Sequence, residues 1–210
     1  MKLNRNDLCW CGSQKKYKKC HLAFDEKLEQ LKQQGKKIPT HKMIKTPEQI
    51  EGIKKAAVIN SGLLDYIEAN IKVGMTTEEI DVMAKEYTAK YGAVCADYQY
   101  MGYPKHICVS INDVVCHGIP NEQTILQEGD IVNVDATTML NGYYADASRM
   151  FMIGKVSNEA KKLVSDTKKA LELGMASVIP YQSCVGDIGK AIATFAKAMG
   201  YSVVREFCGH

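Results

Sequence analysis

The sequence contains no run of about 18 or more apolar residues, which excludes an ordinary membrane-spanning helix. Its opening, MKLNRNDLCW, has no apolar stretch of the kind a secretory signal needs. Together these absences point to the cytoplasm, a reducing compartment in which disulfide frameworks are rare. The chain nevertheless has eight cysteines, and their placement is uneven. Cys9, Cys11 and Cys20 crowd beside His21, while the other five are scattered. That asymmetry favours a metal site over a set of disulfides.

Acidic residues are sparse at the start. Residues 1–45 hold twelve Lys/Arg against four Asp/Glu, and the remainder holds fifteen against twenty. A basic arm of +8 thus precedes an acidic body of −5, within a net charge of +3. Such an arm either meets a polyanion or only keeps the chain soluble, and charge alone does not choose between them. At 210 residues the chain suits one ordinary domain plus a small appendage.

The appendage is residues 1–24. Within it, Cys9-Trp10-Cys11-Gly12 and Cys20-His21 give the spacing C-x-C-x8-C-H. Three thiolates and an imidazole form the closed tetrahedral shell of a structural zinc. Gly12 lets the chain turn sharply, and a knuckle this small has no core, so the metal supplies its folding energy. Lys15, Lys16, Lys18 and Lys19 around Tyr17 suit ribosomal RNA or an acidic protein face. Residues 25–45 read as a basic linker, helical at first and then broken at Gly35 and Pro39.

Residues 46–210 form the main domain. Thr46-Pro47-Glu48 opens a helix that continues to about residue 70. Thr77 is the expected N-cap of a second helix over 78–90, ending at Gly92. Strands are expected at Val94-Cys95, Ile107–Ile111 and Val114–Cys116. After Gly154 the order repeats: a helix to about residue 178, a helix from Val185 to Met199-Gly200, then a strand at Tyr201–Val204. Ile80 and Gly92 match Ile188 and Gly200 at a common offset of 108, which suggests an internally duplicated α+β domain.

Between the halves lies the strongest local signal. Two β-rich runs, Ile131–Leu140 and Tyr143–Phe151, flank Asn141-Gly142, the preferred pair for a two-residue type I′ turn. Pairing Leu140 with Tyr143 sets Asp135 opposite Ser148 and Asp146 opposite Thr137, on one sheet face. Diagonal neighbours lie about 7–8 Å apart, close enough to hold a pair of metals about 3.5–4 Å apart. A solvated hairpin face would explain two acids in strands as well, but the runs around them are apolar and read as buried. His117, before Gly118-Ile119-Pro120, and His210, after Tyr201–Val204, are the candidate histidines. Imidazole with carboxylates suits Mn, Fe, Co or Zn better than Mg or Ca.

Two resemblances give these residues roles. The C-W-C-G-S…K-K-Y-K-K-C-H run resembles the SEC-C motif, which implies a zinc-bound docking module. The stretches Gly102-Tyr103-Pro104-Lys105, Ser110–Pro120, Gly129–Asp135, Asp146–Phe151 and Val203–His210 resemble a bacterial-type (type I) methionine aminopeptidase. That resemblance implies a duplicated pita-bread α+β fold and metal-dependent removal of initiator methionine from nascent chains. It implies that Asp135 holds one of two divalent metals, Asp146 bridges both and His210 ligates the other. His117 contacts the substrate amide, and Tyr100, Tyr103 and Cys108 line the methionine pocket. Cys9, Cys11, Cys20 and His21 hold the structural zinc. The expected enzyme is a monomer without a membrane partner, brought to the ribosome by its basic knuckle. A proline-specific relative of the same fold is disfavoured by Val114–Pro120 and the pocket tyrosines.

The family continues past this point with another His and two glutamates, whereas the sequence stops at His210. The C-terminally incomplete fold is therefore expected to be a fragment of a longer enzyme. The alternative is a non-catalytic module that docks on a ribosome or chaperone.

Overall fold

The computed structural model describes residues 3–180 and 182–207. The chain divides into two compact units, residues 1–55 and 56–210.

In the first unit a hairpin-like turn brings Leu8 opposite Lys16, with Gly12 at φ +75° in the bend. A single 3-10 turn at Tyr17–Lys19 leads into helix α1, Leu22–Gln33. Few apolar residues are available, so polar and aromatic groups hold the unit together. Asp25 on α1 accepts hydrogen bonds from Trp10 Nε1 at 2.9 Å and Tyr17 Oη at 2.7 Å. His41 Nε2 approaches the other oxygen of Asp25 at 3.2 Å, and its ring stacks on Trp10 at 4.2 Å. Burial, with the Asp25 carboxylate beside it, pushes the Tyr17 phenol up to about 12. The segment expected to be a linker, residues 25–45, thus carries most of α1 and returns Asp25 and His41 to Trp10.

Helix α2, Pro47–Asn70, starts where Thr46 and Gln49 satisfy each other's backbone N–H groups at 3.2 and 2.9 Å. The second unit takes up this helix at Ala56. Helix α3, Thr77–Lys90, follows. Its N-cap is Thr76, which forms a capping box with Glu79, and not Thr77 as the sequence suggested. Thr77 is buried, and its hydroxyl bonds the Asn121 backbone, so tertiary contact moves the cap back one residue.

The sheet centres on β3, Ile131–Leu140, which pairs antiparallel along its whole length with β4, Tyr143–Met152. Two short strands share its other edge. β1, Val94–Cys95, pairs with Thr138 and Met139, and β2, Cys108–Ile111, pairs with Val132 to Asp135. Val132, Val134 and Ala136 turn their side chains toward one face and join Leu63, Ile67 and Ile80 of the helices in the core. Each fully buried Val, Leu or Ile contributes about 1.5–3 kcal/mol. On the same face Thr138 donates to Asn60 at 2.7 Å, both sealed from solvent. Arg149 reaches Asp65 and Glu68 of α2 at 2.8 and 2.7 Å.

Helices α4, Asn158–Ala176, and α5, Val185–Ala198, pack on each other, with Gly174 admitting Ile188 and Ile192. The bounds of α3 and α5 differ by 108 at both ends, and Gly92 and Gly200 both adopt positive φ after them. The helical half of the repeat is therefore present. The strand halves differ from expectation. Residues 114–116 form a loop in which Val114 and Val115 are exposed, because the chain turns at Asn112 and Asp113 immediately after β2. Tyr201–Val204 joins no ladder, having no neighbouring strand among the described residues, and extended backbone without a partner is not a strand.

Candidate metal centres

The Asn141-Gly142 turn has φ +52° and +80°, as a type I′ turn requires. The ladder it starts sets Asp135 opposite Ser148 and Thr137 opposite Asp146. These four residues share the sheet face that points away from the core. A carboxyl oxygen of Asp135, Oδ1, is sealed from solvent, while Asp146 lies near the open end of the face. On the other edge of β3, Cys108 pairs with Asp135. A cleft of about 490 Å³ runs from this rung toward the 112–116 loop, lined by Ser110, Asn133, Asp135, Ser148 and Met150.

A third carboxylate joins the face, and sequence reasoning missed it. Asp97 follows β1 and accepts from Thr137 N at 3.1 Å. The Thr137 hydroxyl lies 3.2 Å from Asp146 Oδ1 and 3.4 Å from Asp97 Oδ1. Burial pushes the Asp97 carboxyl above its ordinary value; the charges of Asp135 and Asp146 add to this, while the Thr137 N–H works against it. The only signal in the sequence is an acid two residues beyond a short strand, which without the register says nothing.

The expected pocket residues separate. Tyr103 is half-buried; its hydroxyl lies 3.1 Å from Ile107 O and 3.2 Å from Gly118 O, and burial pushes its phenol up. Cys108 is buried, and burial pushes its thiol to about 11. Tyr100 is different: it sits in a 3-10 turn between Gln99 and Met101, both at positive φ, and is 69% exposed. His117 is exposed and left-handed at φ +56°, a conformation more open to His than to most residues. The next residue explains its position. Gly118 accepts from Val109 N at 2.9 Å and donates to Ser110 Oγ at 3.1 Å. A Cβ on Gly118 would meet Val109 O at 2.1 Å, so the loop is clamped against β2. Phe207 lies edge-on to the His117 ring at 6.3 Å. The expected ligand His210 lies outside the described residues.

The second centre is compact. The ligand atoms of Cys9, Cys11, Cys20 and His21 all lie within 4.8 Å of one another, the one such cluster among the described residues. Cys9 Sγ and Cys20 Sγ are 3.3 and 3.2 Å from His21 Nδ1, and Cys11 Sγ is 3.6 Å from Cys20 Sγ. A tetrahedron with zinc–sulfur distances of about 2.3 Å has edges of about 3.8 Å, so these four groups fit zinc. The hydrogen bond with Ser13, 3.2 Å from Cys11 Sγ, holds the Cys11 thiol down at about 6.

The donor set on the sheet fits a different ion class. Carboxylates suit divalent metals that accept oxygen, and like charges crowded on one face are relieved by a cation. Among the described residues no third ligand atom closes on Asp135 and Asp146 as tightly as in the knuckle.

Residues 51–210 match the model of metallopeptidase family M24, and residues 5–23 match the SEC-C motif. The chain is 40% identical to a methionine aminopeptidase of Chlamydia trachomatis over 99% of its own length and 72% of that protein. It is 43% identical to the Escherichia coli methionine aminopeptidase, covering 80% of this chain and 63% of that one. The crystal structure of methionine aminopeptidase from Rickettsia prowazekii superposes with a TM-score of 0.76 at 39% identity, covering 80% of this chain and 66% of that chain. The chain thus spans between about three fifths and three quarters of the length of these relatives.

Proposed function

Because the chain belongs to metallopeptidase family M24, with the pita-bread fold and sequence of its methionine aminopeptidases, we propose that it removes the initiator methionine from nascent proteins. The observation that carries this reading is the β3–β4 register, which sets Asp135 and Asp146 diagonally on one open face beside Thr137.

In this reading Asp135 would hold one divalent metal, Asp146 would serve both that metal and a second, and His210 would serve the second. Cobalt, manganese, iron and zinc all suit such donors. When bound, the metals supply Lewis acidity toward a water and the scissile carbonyl. The chain's own residues do the rest. The clamped Gly118 presents His117 to the substrate amide, from which an imidazole can take or return a hydrogen bond. Tyr103 and Cys108 give the methionine thioether a polarisable wall, and Tyr100 closes on it from the exposed turn.

Residues 46–210 are the catalytic domain, residues 1–24 a zinc knuckle and residues 25–45 the basic segment between them. The knuckle is held by Cys9, Cys11, Cys20 and His21, and its lysines dock the enzyme on the ribosome, where nascent N-termini emerge. The protein works as a cytoplasmic monomer; among the described residues no helix is long and apolar enough to cross a membrane.

The test is methionine release from a Met-Ala peptide by the manganese-loaded chain. Asp146→Asn and His117→Ala are each expected to lower the rate at least about a hundredfold. Full activity in either variant overturns the reading. Deleting residues 1–24 is expected to abolish co-sedimentation with ribosomes at low salt, and unchanged sedimentation removes the docking role.

A further inference from the structure

Strand β3 has a break in its outer ladder. β1 leaves it after Cys95, with one last bond from Ala96 N to Thr137 O at 2.8 Å. β2 joins only at the Cys108–Asp135 rung. Between them the Thr137 N–H has no strand to bond, and Asp97 takes it at 3.1 Å. An asparagine would cap that N–H equally well, and without placing a charge beside two carboxylates. The charge at this position is therefore in excess of what the ladder requires.

Its connection to the site runs through one hydroxyl. Thr137 Oγ1 has a single proton and two carboxylate neighbours, Asp146 Oδ1 at 3.2 Å and Asp97 Oδ1 at 3.4 Å. Asp97 fixes the backbone of Thr137 and so fixes where that hydroxyl meets Asp146. The three carboxylates do not converge to ligand distance of one another, so Asp97 is not a third ligand of the same ion. Crowding of like charge is unfavourable until a cation arrives, and a fixed anion several ångströms away still attracts a divalent ion.

We propose that Asp97 is a positioning residue of the sheet centre: through Thr137 it holds Asp146 in place, and its charge raises the affinity of the face for divalent metal. This rests on the metallopeptidase reading above and adds to it a residue outside the Asp135, Asp146 and His210 set.

The experiment titrates the chain with Mn²⁺ by calorimetry, with the knuckle already filled with zinc, and follows thermal unfolding in parallel. Asp97→Asn keeps an oxygen for the Thr137 N–H and removes the charge; Asp97→Ala removes both; Asp97→Glu restores the charge. Asp97→Asn is expected to weaken Mn²⁺ binding at least about tenfold with its unfolding temperature unchanged, and Asp97→Glu to recover part of the loss. If Asp97→Asn binds Mn²⁺ like the parent and only Asp97→Ala is destabilised, Asp97 is a ladder cap and the proposal falls. If the parent chain does not bind Mn²⁺ and Asp146→Asn changes nothing, the metallopeptidase reading fails and this proposal with it.

Discussion

The two candidate metal centres are built by opposite routes. The knuckle takes its four ligands from residues 9 to 21, joined by one tight turn and one 3-10 turn. The candidate sheet centre takes Asp97, Asp135 and Asp146 from three segments, and only the β1–β3–β4 ladder brings them to one face. The first is closed, soft and local; the second is open, rich in oxygen and dependent on long-range pairing. A local cluster can fold when its ion binds, because little else must be ordered first. A long-range cluster needs the core of Leu63, Ile67, Val132 and Val134 before its donors meet. An ion at the first would thus be part of the fold, and an ion at the second its guest.

Removing metal is the strongest way to break this comparison. Structural zinc in such small modules is worth roughly 10–16 kcal/mol of apparent binding energy, which is also folding energy. Trp10 is the single tryptophan of the chain and packs between His21 at 4.4 Å and His41 at 4.2 Å. Its fluorescence therefore reports the knuckle alone. Adding a strong chelator, or substituting Cys20→Ser, is expected to shift that emission to the fully solvated value. The far-ultraviolet melting of the helices and sheet of residues 56–210 should keep its midpoint. A common midpoint for both signals would show that the sheet centre also depends on the ion.

A backbone change tests the long-range centre with a smaller effect. Gly118→Ala places a methyl group 2.1 Å from Val109 O, which forces the loop off β2. Overpacking of this kind costs about 1–3 kcal/mol. Because His117 is the adjacent residue, methionine release should fall further than stability alone explains. Gly186→Ala is the control: its Cβ meets nothing within 4 Å at the start of α5, and it should leave both readouts unchanged or slightly raise the melting temperature. Equal behaviour of the two variants would mean that the clamp does not position His117.

The same contrast decides what could be read in advance. Asn141-Gly142 fixes a turn, the turn fixes the register, and the register places Asp135, Thr137 and Asp146 without further information. The knuckle was legible because C-x-C-x8-C-H is short. The 108-residue offset exposed the repeated helices, since their apolar spacing and closing glycines are local, although tertiary contact at Thr77 moves the α3 cap by one residue. Asp97 was not legible, because its contact with Thr137 arises where β1 ends before β2 begins, a gap visible only once three strands are placed. The exposure of Tyr100 and the left-handed φ of His117 are likewise set by loops packed against the sheet, where neighbours outweigh local preference. The extended stretch at Tyr201–Val204 has strand-forming residues, yet a ladder needs a partner as well as a propensity.

The finest distinction concerns how the local centre resists acid. Ser13 holds the Cys11 thiol at about 6, below its ordinary value, so Cys11 is a ready thiolate at neutral pH. A ligand whose pKa is lowered in the folded state supports that state fully at high pH and loses its support as pH falls through the lowered value. Acid should therefore displace zinc from the knuckle as protons compete for its thiolates, and the Trp10 signal should change with that loss. Ser13→Ala removes the largest cause of the shift, so Cys11 rises and competes less well against protons. The acid midpoint of the Trp10 transition is expected to move upward by less than about one pH unit, since three other ligands still bind. The melting of residues 56–210 over the same range should not respond to this substitution. An unmoved Trp10 midpoint in Ser13→Ala would mean that another ligand sets the acid limit of the knuckle, and that its closure does not depend on the serine.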